Sequence, residues 1–145
     1  MILHTTYSVN KWLAQRLSTF GAVAFMDTQD LPLPGYQVIW GEEREMQVQP
    51  RGALSGARLS IYCAAPVSQW HLSRRLATSA LSVLRGAAGS FTIPRYRYPI
   101  SEGDLPIGRI ALRDISAREM HDPQHPELAL HVVRATALTI NPPTC

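Results

Sequence analysis

Lysine is all but missing from this 145-residue chain: Lys11 stands alone, and every other basic residue is an arginine. The 14 basic and 11 acidic residues leave a net charge of +3, and no Lys/Arg block gathers that charge into the broad basic stretch typical of proteins that depend on phosphate contacts. Arginine suits bidentate pairing with carboxylates and phosphates and is enriched at protein interfaces. Cysteine is nearly as scarce. Cys63 sits in an alternating apolar run and Cys145 is the last residue, so a disulfide between them has to tie down a fraying tail. Two free thiols in a reducing compartment are expected. No run approaches the ~20 apolar residues of a membrane helix. The opening MILHTTYSVNKW has neither a basic n-region nor a continuous apolar segment, so no signal peptide is expected and the chain should be made and kept in a cytoplasm.

Motifs that carry chemistry are also absent. Gly86-Ala87-Ala88-Gly89-Ser90 has the glycines of a phosphate cradle, but they follow a helical pattern where a cradle must open one; a C-cap and loop is the reading. His121 and His125 have a spacing that helps metal binding on a helix, but Pro123 and Pro126 break any helix there. No Asp, Glu, Ser or His lies in a nucleophile-elbow or zinc-helix pattern. An enzyme is therefore not expected, and neither a cofactor nor a metal. Catalysis requires convergence in space alone, with Asp114, Glu119 and His121 the set to watch.

What is present is a foldable pattern. At 46% hydrophobic, a chain of this length fills one domain, 1–145, without metal or disulfide staples. Ser8 is placed to N-cap a first helix with Val9, Trp12, Leu13, Leu17 and Phe20 on one stripe, and Gly21 to end it in a left-handed conformation. A short strand over 22–26 and a proline-bearing loop over 27–35 follow. Residues 36–40 form a strand ended by Gly41, and alternation resumes over 46–48, so a hairpin turning at 41–45 is expected. After a connection over 49–56, residues 58–63 alternate cleanly, with Leu59, Ile61 and Cys63 on one face. Residues 66–85 carry the longest helical stripe, Leu72, Leu76, Ala80, Leu81 and Leu84, started by Pro66 or Ser68 and with Gly86 after it. The Gly/Pro-rich passage from 86 to 108 reads as an excursion from the core with a β-prone piece at 90–93. Strands over 107–115 and 128–140, joined by a polar loop, complete the order. Short connections favour antiparallel pairing. The fold class is α+β, a mixed but mainly antiparallel sheet with two helices on one face and a long loop excursion.

Two segments are candidate interaction sites. Glu42, Glu43, Arg44 and Glu45 read as a solvated hairpin tip or, more sharply, as an acidic prong reaching an arginine-rich patch on a neighbouring copy. Arg95, Tyr96, Arg97 and Tyr98 interleave cations with aromatics, the composition of protein-interface centres and also of single-strand binders, beside the plainer reading of a surface loop. With Arg109 and Arg113 they form the nucleic-acid alternative. Trp12 and Trp40 belong to apolar patterns and should be core. Trp70, at the start of the second helix, marks an interface if it is exposed.

The order of elements resembles the tail terminator and tail-completion proteins of long-tailed bacteriophages: an N-terminal helix, hairpin strands, a strand like 58–63 feeding a long helix like 66–85, a Pro/Gly-rich passage, then strands like 107–115 and 128–140. The resemblance covers almost the whole chain, by pattern, in a family without a diagnostic catalytic or ligand motif. It implies a virion protein of the tail's neck region, assembled in the host cytoplasm. Its partners would be copies of itself in a ring, usually a hexamer, together with the tail tube protein and the head–tail connector protein. The ring caps the tube, stops its polymerisation and keeps a channel through which DNA passes, and its side-to-side contacts are heterologous. A head–tail connector or another virion adaptor is the alternative within the same class.

Overall fold

The computed structural model describes residues 2–25, 33–49, 52–98, 103 and 105–141. Its elements are α1 (Ile2–Leu17), β1 (Ala22–Ala24), β2 (Gly35–Gln49), β3 (Gly52–Pro66), a 3-10 turn (Val67–Gln69), α2 (Trp70–Gly86), β4 (Ile93–Arg95), β5 (Gly108–Met120) and β6 (Leu128–Asn141). The strands form one six-stranded sheet in the order β1-β2-β3-β6-β5-β4. β1 pairs with β2 in parallel, and every other neighbouring pair is antiparallel. The class is the α+β one that the pattern predicts. No described helix is long and apolar enough to cross a membrane.

The centre of the sheet is the ladder between β3 and β6, unbroken from Ala53↔Asn141 to Pro66↔Leu128. Strand alternation then sorts the side chains. Leu59, Ile61 and Cys63 on β3, Tyr36 and Val38 on β2, and Val133, Ala135 and Ala137 on β6 share one face, all essentially inaccessible. Both helices cover that face: Val9, Trp12, Leu13 and Leu17 from α1, and Leu76, Ala77, Ala80 and Leu84 from α2. The buried Tyr36 hydroxyl donates to the Leu76 carbonyl (2.8 Å), fixing α2 against β2. Burial raises the pKa of that phenol.

Several expectations need correction. Ser8 does not cap α1. The helix begins at Ile2, and Ser8 lies buried within it, its hydroxyl accepting the backbone N–H of Tyr96 (2.8 Å). A tertiary contact extends the helix two turns beyond its apolar stripe, which propensity cannot foresee. α1 stops at Leu17, with the N–H groups of Phe20 and Gly21 both reaching the Leu17 carbonyl. Gly21 does not take positive φ. A Cβ there would sit 3.1 Å from Leu76 Cδ2, so a larger residue has to displace that methyl group by a few tenths of an ångström.

The hairpin does not turn at 41–45 either. β2 continues to Gln49 and pairs with β3 as far as Gln49↔Gly52, so residues 42–45 lie along the strand. Gly41 marks an irregularity: the register shifts between Trp40 and Glu43, and again between Glu45 and Gln47. Such bulges break the alternation that strand recognition relies on. The expected 49–56 connection is, from Gly52 on, the start of β3. β1 ends at Ala24, and Met26 lies outside the described residues. The passage from 86 to 108 touches the core at the buried Ala87, bridges β5 at Ala88↔Leu112, and pairs β4 with β5, burying Ile93 and Arg95. α2 begins at Trp70 after the 3-10 turn instead of at 66, and β5 runs on to Met120.

Burial drives the Cys63 thiol up from an ordinary value of 9.0 to about 12. The folded protein therefore holds the thiol proton where the unfolded chain releases it, so stability falls as pH rises through about 9 to 12. In a Cys145→Ser background, iodoacetamide at pH 9 should leave Cys63 unmodified in the folded protein and alkylate it only on denaturation, as read by mass spectrometry.

Candidate functional site

Catalytic convergence can be tested where polar groups meet inside the fold. Ser73 on α2 is fully buried. Its Oγ lies 2.8 Å from the Cys63 carbonyl and 2.8 Å from His131 Nδ1. A carbonyl only accepts, so the single hydroxyl proton goes to Cys63, and His131 must donate its Nδ1–H to Ser73. The imidazole thus presents its proton to the serine and cannot remove one through that nitrogen. This is the reverse of a nucleophile–base pair. The arrangement pins α2 to β3 and β6. Glu119 is the cross-strand partner of His131, but among the described residues no hydrogen bond or ion pair joins it to Asp114 or His121, the other members of the expected set. Asp114 sits in a bulge of β5 at φ 54. His121 lines a concavity on the opposite face.

That concavity, about 600 Å³, is bordered by Gln37, Ile39, Tyr62, Met120, His121 and His125. His125 Nδ1 approaches Glu127 Oε1 at 3.3 Å, both exposed. Among the described residues no three His, Cys, Asp or Glu side chains group as metal ligands.

The arginine–tyrosine segment 95–98 is folded down along α1. The Tyr96 N–H donates to Ser8 Oγ, and the Tyr98 N–H donates to His4 Nδ1 (2.9 Å). The Tyr98 ring stacks on Tyr7 with centroids 4.2 Å apart. Lys11 Nζ stands 4.8 Å from the centre of the Tyr96 ring. Arg95 is buried, whereas Arg97 is exposed and Tyr98 partly so. Of the four expected interface residues, then, two face outward and two are built into the fold. Glu42, Glu43, Arg44 and Glu45 lie on β2, and their side chains lie outside the described ones.

Two features escape sequence reasoning. One is the set of exposed apolar side chains, which fall in separate places. Tyr7, Tyr98, Leu105 and Ile107 lie around β4, whose Arg95 carbonyl accepts the Ile107 N–H. Phe20 borders a hollow of about 150 Å³ with Pro34, Leu72 and Arg75 near β1, and Leu33 is exposed beside it. Trp70, at 58% exposure, stands at the head of α2. The other feature is the pair of uncovered strand edges. β1 covers only Gly35 to Gln37 of β2. β4 covers only Gly108 to Ile110 of β5, and the Gly89 N–H, presented by a φ of +77, closes Leu112. Among the described residues, 38–49 of β2 and 113–120 of β5 have no strand on their outer side. Open edges of this length are templates for pairing with another chain.

No family model matches the chain, and no curated protein matches it. Among solved structures, a chain from the virion of a native gene transfer agent particle is similar to it at 15% identity, with a TM-score of 0.48, over 94% of this chain and 92% of that one.

Removing the hydroxyl in Ser8→Ala leaves the Tyr96 N–H without its acceptor. This change should lower stability by about 1–2 kcal/mol. Hydrogen exchange should show faster exchange at Tyr96 and Tyr98 while the β3–β6 amides stay protected.

Proposed function

We propose that this chain is a structural virion protein, a tail terminator whose copies form a ring, a hexamer on the family pattern. The ring caps the tail tube, stops its polymerisation and joins it to the head connector. The observation that supports this reading is the pairing of unlike association features at the two margins of the sheet. β2 offers an open edge over 38–49, with β1 and then the Phe20 hollow at the other end of the same margin. β5 offers another over 113–120, with β4 and then the exposed Tyr98, Leu105 and Ile107 toward its Gly108 end. Because the two margins differ, copies joined margin to margin make heterologous contacts, and such contacts close into a ring when the rotation permits. An isologous dimer would use one margin twice and leave the other bare.

The interior chemistry agrees with this role. The buried Ser73–His131 contact serves packing. The element order that resembles tail terminators is retained, with the hairpin longer and the first helix earlier than the pattern predicts. On this reading DNA passes through the ring and is not altered by it.

Light scattering on the purified protein should give the mass of one closed oligomer, independent of concentration over a tenfold range. Phe20→Ser and Leu105→Ser, at opposite margins, should each reduce it to monomer with the far-ultraviolet circular dichroism unchanged. Mixed with tail tube protein, the ring should bind tube ends and halt elongation. A monomer at every concentration, or binding to connector rings but not to tube, contradicts the assignment.

A further inference from the structure

The face of the sheet turned away from the helices carries a cluster of arginines that no stretch of sequence reveals. On β3, Arg58 lies between Ala57 and Leu59, both of which point to the helices. On β6, Arg134 lies between Val133 and Ala135, which do the same. Both arginines therefore belong to the open face. β5 supplies two more by an irregular route. Arg113 and Arg118 are five residues apart, which in a regular strand places them on opposite faces. The β5 ladder, however, goes from Arg113↔Thr136 to Ser116↔Arg134, three steps against two. This bulge, with Asp114 at φ 54, reverses the alternation. Arg118 then pairs with Val132 and Arg113 with Thr136, both open-face positions.

The register fixes the layout. Arg58, Thr136 and Arg113 form one row across three strands, so the two arginine backbones are about 10 Å apart. Ser60, Arg134 and Ser116 form the next row, and Tyr62, Val132 and Arg118 the one after. Successive rows on a face are about 7 Å apart. Arg58, Arg113 and Arg118 are exposed. Arg134 Nε is shielded from solvent and has no hydrogen-bond partner. Among the described residues none of the four is in an ion pair. Glu119, the nearest carboxylate along β5 after the bulge, shares the register of His131 on the helix face.

We propose that this open face is a binding site for the phosphate backbone of duplex DNA, with Arg58, Arg113, Arg118 and Arg134 as the phosphate ligands and the hydroxyls of Ser60, Ser116 and Thr136 between them. Four guanidinium groups in no ion pair among the described residues, spread over rows and interleaved with hydroxyl donors, match a repeating anion and give no base-specific pattern. The binding is sequence-independent and electrostatic. It does not require the ring; in a ring it makes this face the wall that meets passing DNA.

The test is fluorescence anisotropy with a labelled 20-base-pair duplex over a salt series. Binding should weaken with a log–log slope of roughly −3 to −4, as four phosphate contacts imply. Arg113→Gln/Arg118→Gln should reduce affinity roughly tenfold or more and make the slope shallower by about two. Arg16→Gln/Arg85→Gln, exposed on α1 and α2, should change neither. Thermal melts confirm that each variant folds. Absence of binding at low salt, or equal losses in the two double variants, overturns the proposal. So does a β5 double variant that loses oligomer mass in light scattering and keeps its DNA affinity, because the face is then a contact between subunits. A chain that is monomeric throughout but binds DNA as described refutes the ring and leaves this site standing.

Discussion

The antiparallel ladder between β3 and β6 is the constraint on which the rest of this structure depends. Because it runs from Ala53↔Asn141 to Pro66↔Leu128 without a register shift, it assigns every side chain on two long central strands to one face or the other. A slip of one residue would turn one strand over relative to the other, placing either Arg58 or Arg134 against α1 and α2, where Leu59 and Ile61 or Val133 and Ala135 now pack. Burying unpaired guanidinium groups costs far more than such a core could recover. The apolar alternation and the arginine positions therefore enforce the same register. Irregularity is confined to the strands outside this pair: β2 shifts register twice, and β5 once, at Asp114.

Much of this was legible because it is local. The alternation over 58–63, the stripe of α2 and the long closing strand each show a single period, and each corresponds to an element close to where the period falls. What was not legible depends on distant contacts. The first two turns of α1 carry no apolar stripe and stand because Ser8 and His4 hold the backbone of 96 and 98. The continuation of β2 past Gly41 is hidden by bulges, so the acidic run looked like a hairpin tip. The arginine face was invisible for the same reason: Arg113 and Arg118 have the spacing of opposite faces until the bulge is known, and Arg58 and Arg134 are brought beside them only by pairing.

The candidate site shifts accordingly. Segment 95–98 reads in sequence as an exposed Arg/Tyr interface, yet half of it is a strut between β4 and α1, with Arg97 and Tyr98 left at the surface. Its surroundings gain importance instead, because Tyr7, Leu105 and Ile107 are exposed around the end of β4, on the β5 margin but at the end away from its open stretch. The helices seal one face, the arginines occupy the other, and the two uncovered edges differ from each other. That asymmetry is what a subunit needs if it must touch two neighbours and still present a separate surface to a third partner.

Cross-linking tests this most directly. With Cys145→Ser as background, one cysteine placed at Arg44 on the open edge of β2 and one at Ser116 on the open edge of β5 should, with a short thiol-reactive cross-linker, give a covalent ladder that ends at the number of subunits in the ring. Either cysteine alone should give no cross-linked product. Dimers from a single-cysteine variant, showing like edges meeting, or no ladder from the double variant, would contradict association through unlike margins.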